Sequence, residues 1–220
     1  MSQLLTEPAQ RHSVASNQRV LLQGISWDTY TALLKDVGDG AARLTYDNGD
    51  LEIEVPGRLH ELIRLLIAQM VASAMKTLNI AYEPAGATTW RKYEYLKGLE
   101  ADECYHIQSV KRVIGKSELD LAIDPPPDLA IEVEVTSTSN NKMEVYRGLK
   151  VPELWRIHAD GTCTMYLLDA NGLYVPISAS VTIPLFNPAM ISHYLLLREE
   201  HGHSEAVRRF DEEVLASQKS

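Results

Sequence analysis

Apolar side chains recur along the chain at two spacings, near 3.6 residues and near 2, and the switches between them predict the order of elements. Trp27, Tyr30, Leu33 and Leu34 follow helical spacing after Ser26, whose hydroxyl suits an N-cap, and Asp28 stands where the helix dipole favours an anion. Gly38 and Gly40 end that helix. Residues 43–55 alternate apolar and polar around Asn48-Gly49, two residues that tolerate positive φ, which predicts a two-stranded hairpin. Over 59–78, Leu62, Leu65, Leu66, Met70, Ala74 and Leu78 make one stripe with Glu61, Arg64 and Lys76 off it, predicting the longest helix.

Strands follow near 80–83 and 103–109, with a turn over 111–116. Pro125, Pro126 and Pro127 cannot donate to a sheet ladder, so the chain breaks there between strands predicted near 119–123 and 128–135. A polar connection over 136–141 caps a helix from Lys142 through Leu149. Three more strands are predicted near 154–158, 162–168 and 173–177, and Asn187-Pro188 opens a closing helix that frays into a charged end. This order predicts an α/β protein with a mixed central sheet flanked by helices rather than a regular βαβ array. Residues 1–18 read as a flexible leader, 19–200 as a single domain and 201–220 as a charged tail.

The 220 residues, 45% of them hydrophobic, suffice for one sizeable core. Two cysteines, Cys104 and Cys163, are too few for a disulfide scaffold or a cysteine-based zinc site, which fits a reducing, cytoplasmic setting. The opening residues lack a basic stretch followed by an apolar one, and no segment has about 18 uninterrupted apolar residues, so no membrane association is expected. No Gly-rich phosphate loop, G-x-S-x-G or H-E-x-x-H occurs. Lys and Arg number 21 against 30 Asp and Glu, a formal net charge of −9 that argues against a broad basic surface for nucleic acid.

Candidate chemistry lies in the strand after the prolines. Alternation puts Asp128, Ala130, Glu132 and Glu134 on one face and Leu129, Ile131, Val133 and Val135 on the other. Aligned carboxylates repel, so the face is either solvated or neutralised by a cation, and hard divalent ions favour such oxygens. A second pair, Asp102 and Glu103, heads an earlier strand, and Lys142 opens the helix after the acidic one.

Three separated blocks stand in one order: Pro127-Asp128-Leu129-Ala-Ile-Glu132-Val-Glu-Val-Thr-Ser, then Lys142-Met-Glu-Val-Tyr146, then Leu149-Lys-Val-Pro152-Glu153-Leu-Trp155. This pattern resembles the PD-(D/E)XK nuclease superfamily and, more closely, the Uma-type family of bacterial endonucleases, with its PDLxxEVxS and K…Y…PExW blocks. The likeness spans about 26–185 and includes the Asn-Gly hairpin and the helix containing His60. It implies a restriction-endonuclease-like core and a Mg²⁺- or Mn²⁺-dependent endonuclease acting on DNA, with paired subunits. It also implies that Asp102 and Glu132 bind the metal, that Lys142 is the catalytic lysine, and that Glu61 is an accessory acidic ligand. Asp128 is then a neighbour of the metal site. Two departures stand out. The family's proline before the first Asp is Ala101, and where a standard E-x-K lysine would stand the chain has Glu134. Either Lys142 reaches back into the site, the favoured reading, or Glu134 adds a ligand to a site without that lysine. The departures also leave open a catalytically degraded nuclease fold that binds nucleic acid or protein, and hydrolysis of another phosphate ester is a third reading.

The resemblance changes how the charge reads. Residues 90–157 hold ten Lys and Arg against twelve Asp and Glu, so most of the acidity lies elsewhere. Bound metal would offset part of what remains, leaving Arg91, Lys92, Lys111, Arg112 and Lys116 for backbone contacts.

Overall fold

The structure, a computed structural model, describes residues 17–38, 40–86, 88–135 and 142–218. The expectations for a leader over 1–16 and for the polar connection over 136–141 lie outside these residues. Asn17 and Gln18, placed in the leader by the sequence, belong to the folded unit: Gln18 begins a strand, and Asn17 is buried.

Strand β1 (Gln18–Leu22) leads to helix α1 (Trp27–Val37), where Ser26 accepts from the Thr29 amide as its spacing predicted. Strands β2 (Arg43–Asp47) and β3 (Asp50–Val55) form the expected hairpin, with Asn48 at φ 49° and Gly49 at φ 102°. Helix α2 (Arg58–Thr77) is the longest. Its buried face is rotated from the predicted stripe: Ile63, Ile67, Val71 and Met75 are buried with Leu66, Met70 and Ala74, whereas Leu65 is exposed. The short β4 (Glu83–Pro84), β5 (Thr89–Lys92), β6 (Lys97–Glu100) and β7 (Glu103–His106) follow, then a single helical turn, α3 (Val110–Val113).

The strand expected over 119–123 does not form. Asp124 accepts from the Asp120 amide at 3.0 Å and pairs with Lys116, while the Ile123 and Asp124 amides return to the Asp120 carbonyl, so local side-chain and turn bonds outcompete a ladder before the prolines. The chain continues through β8 (Leu129–Glu134), α4 (Lys142–Leu149), β9 (Glu153–His158), β10 (Cys163–Leu168), β11 (Tyr174–Ile177) and α5 (Pro188–His201). The charged stretch read as a tail is largely helix α6 (His203–Ser217), because Ala206, Phe210 and Val214 recur every four residues and are buried.

The mixed sheet is present, in the order β11-β10-β9-β8-β7-β4, with β8 and β9 parallel and the other pairs antiparallel. A second sheet, antiparallel and ordered β1-β3-β2-β6-β5, accompanies it; the sequence did not separate the two. Leu129, Ile131 and Val133 of β8 pack with α2, α5 and α6 in the largest core. On its other face Ala130 joins Trp90, Leu99, Cys104, Val145, Tyr146 and Leu154, so a second core fastens β5, β6 and α4 to the mixed sheet. Tyr30, Leu44, Tyr46 and Leu51 make a third core beneath α1. Gly98 allows the close approach there, since a Cβ would meet the Tyr30 hydroxyl at 2.3 Å.

Candidate active site

The alternation that buries Leu129, Ile131 and Val133 against α2 turns Ala130 and Glu132 the opposite way, towards α4 and the second sheet. Glu132 is 1% exposed. Its Oε2 accepts from Lys142 Nζ at 2.8 Å, and its Oε1 accepts from the Tyr146 hydroxyl. Lys142 and Tyr146 stand four apart in α4, hence on one face, and together they close both oxygens of the carboxylate.

The Lys142 ammonium has a second anion. Glu54 Oε2 of β3 lies 3.4 Å away, and Glu54 Oε1 accepts from Arg19 at 2.7 Å and Asn17 at 2.8 Å. Burial would lower the Lys142 pKa, but Glu132 and Glu54 more than offset this and raise it. Conversely, burial works against Glu54 ionisation, and Lys142 and Arg19 outweigh it, holding Glu54 below the usual carboxylate range.

Asp102 precedes β7. Glu103 pairs with Ile131, so extending the register by one sets Asp102 beside Glu132 on the neighbouring strand. Asp102 is 1% exposed, accepts from the Val133 amide at 2.6 Å, forms an ion pair with Arg43 of β2, and lies 3.1 Å from His60 Nε2 of α2. The other nitrogen of His60 meets Glu61 at 3.0 Å. Burial and then Arg43 push the His60 pKa down, although Glu61 and Glu54 oppose them. Glu61 also pairs with Arg64 at 2.9 Å and Arg43 at 3.4 Å, and Arg64 continues to Glu103. Burial raises the Glu103 pKa despite Arg64.

The structure therefore sets Asp102, Glu132 and Lys142 in one buried, charged region made of two ion-pair groups, Glu132 with Lys142, Glu54 and Arg19, and Asp102 with Arg43 and His60, Glu61 lying at the edge of the second. Two candidates fall outside it. Glu134 turns to Arg156, which donates to both its oxygens at 2.7 and 2.8 Å, with His158 at 3.4 Å. Asp128 instead pins a loop, accepting from the amides of Ile107 and Ser109 and from the Ser109 hydroxyl at 2.7–2.9 Å. Sequence reasoning gave no site role to Arg19, Arg43, Glu54 or His60, and Tyr146 entered it only as a position in one of the family blocks. The four-residue spacing of Lys142 and Tyr146 was the available signal for the last.

The donor set suits a hard divalent cation. Asp102 and Glu132, side by side in the β7–β8 register and both buried, offer carboxylate oxygens, the donors a hard divalent cation favours. Among the described residues no three His, Cys, Asp or Glu side chains are arranged to enclose an ion. Mg²⁺ does not require such a cage, since it commonly binds through one or two carboxylates and keeps several waters.

Buried acids and a lysine thus stand on neighbouring elements of a mixed α/β fold. The profile of the Uma2 family, described as "Putative restriction endonuclease", matches residues 27–195, and the chain belongs to that family. The chain is also similar to a solved structure described as a "putative nuclease belonging to DUF820" from Anabaena variabilis ATCC 29413, at 16% identity and a TM-score of 0.48, covering 69% of this chain and 90% of that one. A search of curated proteins found no match. No helix among the described residues is long and apolar enough to cross a membrane.

Proposed function

We propose that this protein is a Mg²⁺- or Mn²⁺-dependent endonuclease that hydrolyses phosphodiester bonds of DNA, working as a homodimer. The observation that carries this reading is the 2.8 Å contact of Lys142 with Glu132, next to Asp102 on the adjoining strand. It supports reading Asp102, Glu132 and Lys142 as the acid–acid–lysine set of a PD-(D/E)XK nuclease although the lysine is absent from its usual place. Asp102 and Glu132 would hold the ion, which when bound lowers the pKa of water and offsets charge on the transferring phosphate. Lys142, whose ammonium lies between Glu132 and Glu54, would serve as a point charge for the scissile phosphate. Arg43 and His60 fix the Asp102 carboxylate, and Tyr146 fixes that of Glu132.

Burial favours a second reading. Lys142 is 6% exposed and Glu132 1%, as in a nuclease fold retained for binding rather than cleavage. Supercoiled plasmid incubated with the protein separates the two. Nicking that needs Mg²⁺ or Mn²⁺, stops with EDTA and disappears in Asp102→Asn and Glu132→Gln supports the nuclease. No cleavage together with no Mn²⁺ binding in calorimetry overturns it in favour of the binding module, and cleavage retained in both folded variants removes the residue assignments.

A further inference from the structure

We infer that Glu54 is a further positioning residue of this site: it is the anion that holds the Lys142 ammonium in place when Glu132 is engaged by a divalent cation. The inference rests on the metal-dependent reading above. In the structure the Lys142 ammonium lies between carboxylates carried by the two sheets, 2.8 Å from Glu132 on β8 and 3.4 Å from Glu54 on β3. Lys142, Glu132 and Glu54 are 6%, 1% and 3% exposed, so water supplies little compensation to any of them.

An ion on Glu132 draws off the charge that Lys142 now neutralises. A buried ammonium without a partner is strongly unfavourable, so with Glu132 as its only anion the lysine would compete with the metal for the same oxygens. Glu54 removes that conflict, since the ammonium can shift towards it without entering solvent. Glu54 is also prevented from following the ammonium, because Arg19 and Asn17 hold its other oxygen at 2.7 and 2.8 Å. Asn17 itself is tied to the start of α2, accepting from the Gly57 amide at 2.7 Å. Residues 17 and 19 precede the segment matched by the family profile, so this seat is built partly from outside it.

The test is a double-mutant cycle read by Mn²⁺ calorimetry on the full chain, with thermal melts to confirm folding. Glu54→Gln is expected to weaken Mn²⁺ binding about tenfold, and Glu54→Asp to restore part of it. In a Lys142→Met background, where there is no ammonium to seat, Glu54→Gln is expected to change Mn²⁺ affinity less than twofold. An equal loss in both backgrounds would overturn the inference by making Glu54 a ligand or a general structural group, and an unchanged affinity in Glu54→Gln alone would overturn it as well. Wild-type protein that binds no Mn²⁺ would remove the metal-dependent reading itself, a failure distinguishable from the other two.

Discussion

Lys142 and Glu132 are ten positions apart, on a helix and on the strand before it, and their side chains meet at 2.8 Å inside the protein. A lysine two residues after Glu132 would have shared its face of β8; that position is Glu134, which is held at the strand's end by Arg156. The first turn of α4 thus delivers an amine to the place that the strand does not. Lys142→Met is expected to abolish nicking and, by leaving Glu132 and Glu54 facing one another without a cation between them, to destabilise the fold by about 3 kcal/mol. Urea denaturation followed by circular dichroism measures the second effect, and a plasmid assay below the unfolding midpoint measures the first.

Tyr146→Phe removes one hydroxyl and almost no volume. The Glu132 oxygen that accepts from it is buried, so the loss leaves an unsatisfied acceptor and is expected to cost about 1–3 kcal/mol. For a domain of this size that corresponds to a melting temperature lower by roughly 2–10 °C. If Tyr146 only fills space, the melting temperature and nicking rate of the variant will match the wild type.

The hairpin and the positions of Asp102 before one strand and Glu132 on another were legible because their signals are local: Asn48-Gly49 fixes a turn, and alternation fixes the faces of β8. The surroundings of those carboxylates were not. Lys142 meets Glu54 across 88 positions, and that contact exists only because the second core brings α4 and the second sheet, to which β3 belongs, onto the mixed sheet. Nothing near Arg43 or His60 in the sequence points to Asp102. Strands β5 and β6 were missed because they are four residues long and carry little alternation, and with them went the second sheet. Helix α6 differs: its four-residue apolar period was present, beneath a surface of charges such as Arg208, which pairs with Glu205 and Glu212.

Acid is expected to destabilise the protein in two stages. Burial, and for His60 also Arg43, holds the His60 and His106 pKa values below 6.5, so near and below that pH the unfolded chain takes up protons that the folded one refuses. Stability therefore falls as pH drops through about 6.5. Glu54 and Glu61, held below 4.5 chiefly by Lys142 and Arg64 against burial, contribute stability above that value and lose it as pH falls through their folded pKa values. Glu103, raised by burial, acts in the opposite sense just above 4.5. Melting temperatures measured from about pH 7.5 to pH 5.5 should fall, with a shallower slope in His106→Asn; a flat profile would refute the histidine contribution.

Glu153 tests whether one of the family blocks is architectural. It is fully buried, accepts from Trp155 Nε1 at 2.6 Å, and accepts from the Val181 and Thr182 amides at 3.1 and 2.8 Å, tying β9 to the loop before α5. Glu153→Gln turns one acceptor into a donor facing donors, at an expected cost of about 2–3 kcal/mol. Denaturation midpoints should shift while nicking per folded molecule stays at the wild-type rate.

Glu134 provides the comparison that separates site from strand. It shares a face with Glu132 in the sequence pattern, and a metal site built from the whole acidic face would need both. In the structure its oxygens are taken up by the Arg156 guanidinium in a two-bond fork on the β8–β9 pair, and the same guanidinium donates to Met143 Sδ of α4 at 3.3 Å, so neither Glu134 oxygen meets Lys142. Glu134→Gln keeps one acceptor and loses the charge, so the expected cost is about 1–3 kcal/mol of stability, most of it from leaving Arg156 half-paired. Glu132→Gln weakens the seat of Lys142 and the hydrogen bond from Tyr146 together. Nicking and Mn²⁺ binding should therefore survive in Glu134→Gln and fail in Glu132→Gln, with both proteins folded by circular dichroism. Equal loss in the two would return Glu134 to the site and mean that β8 presents its acids to the ion as a row.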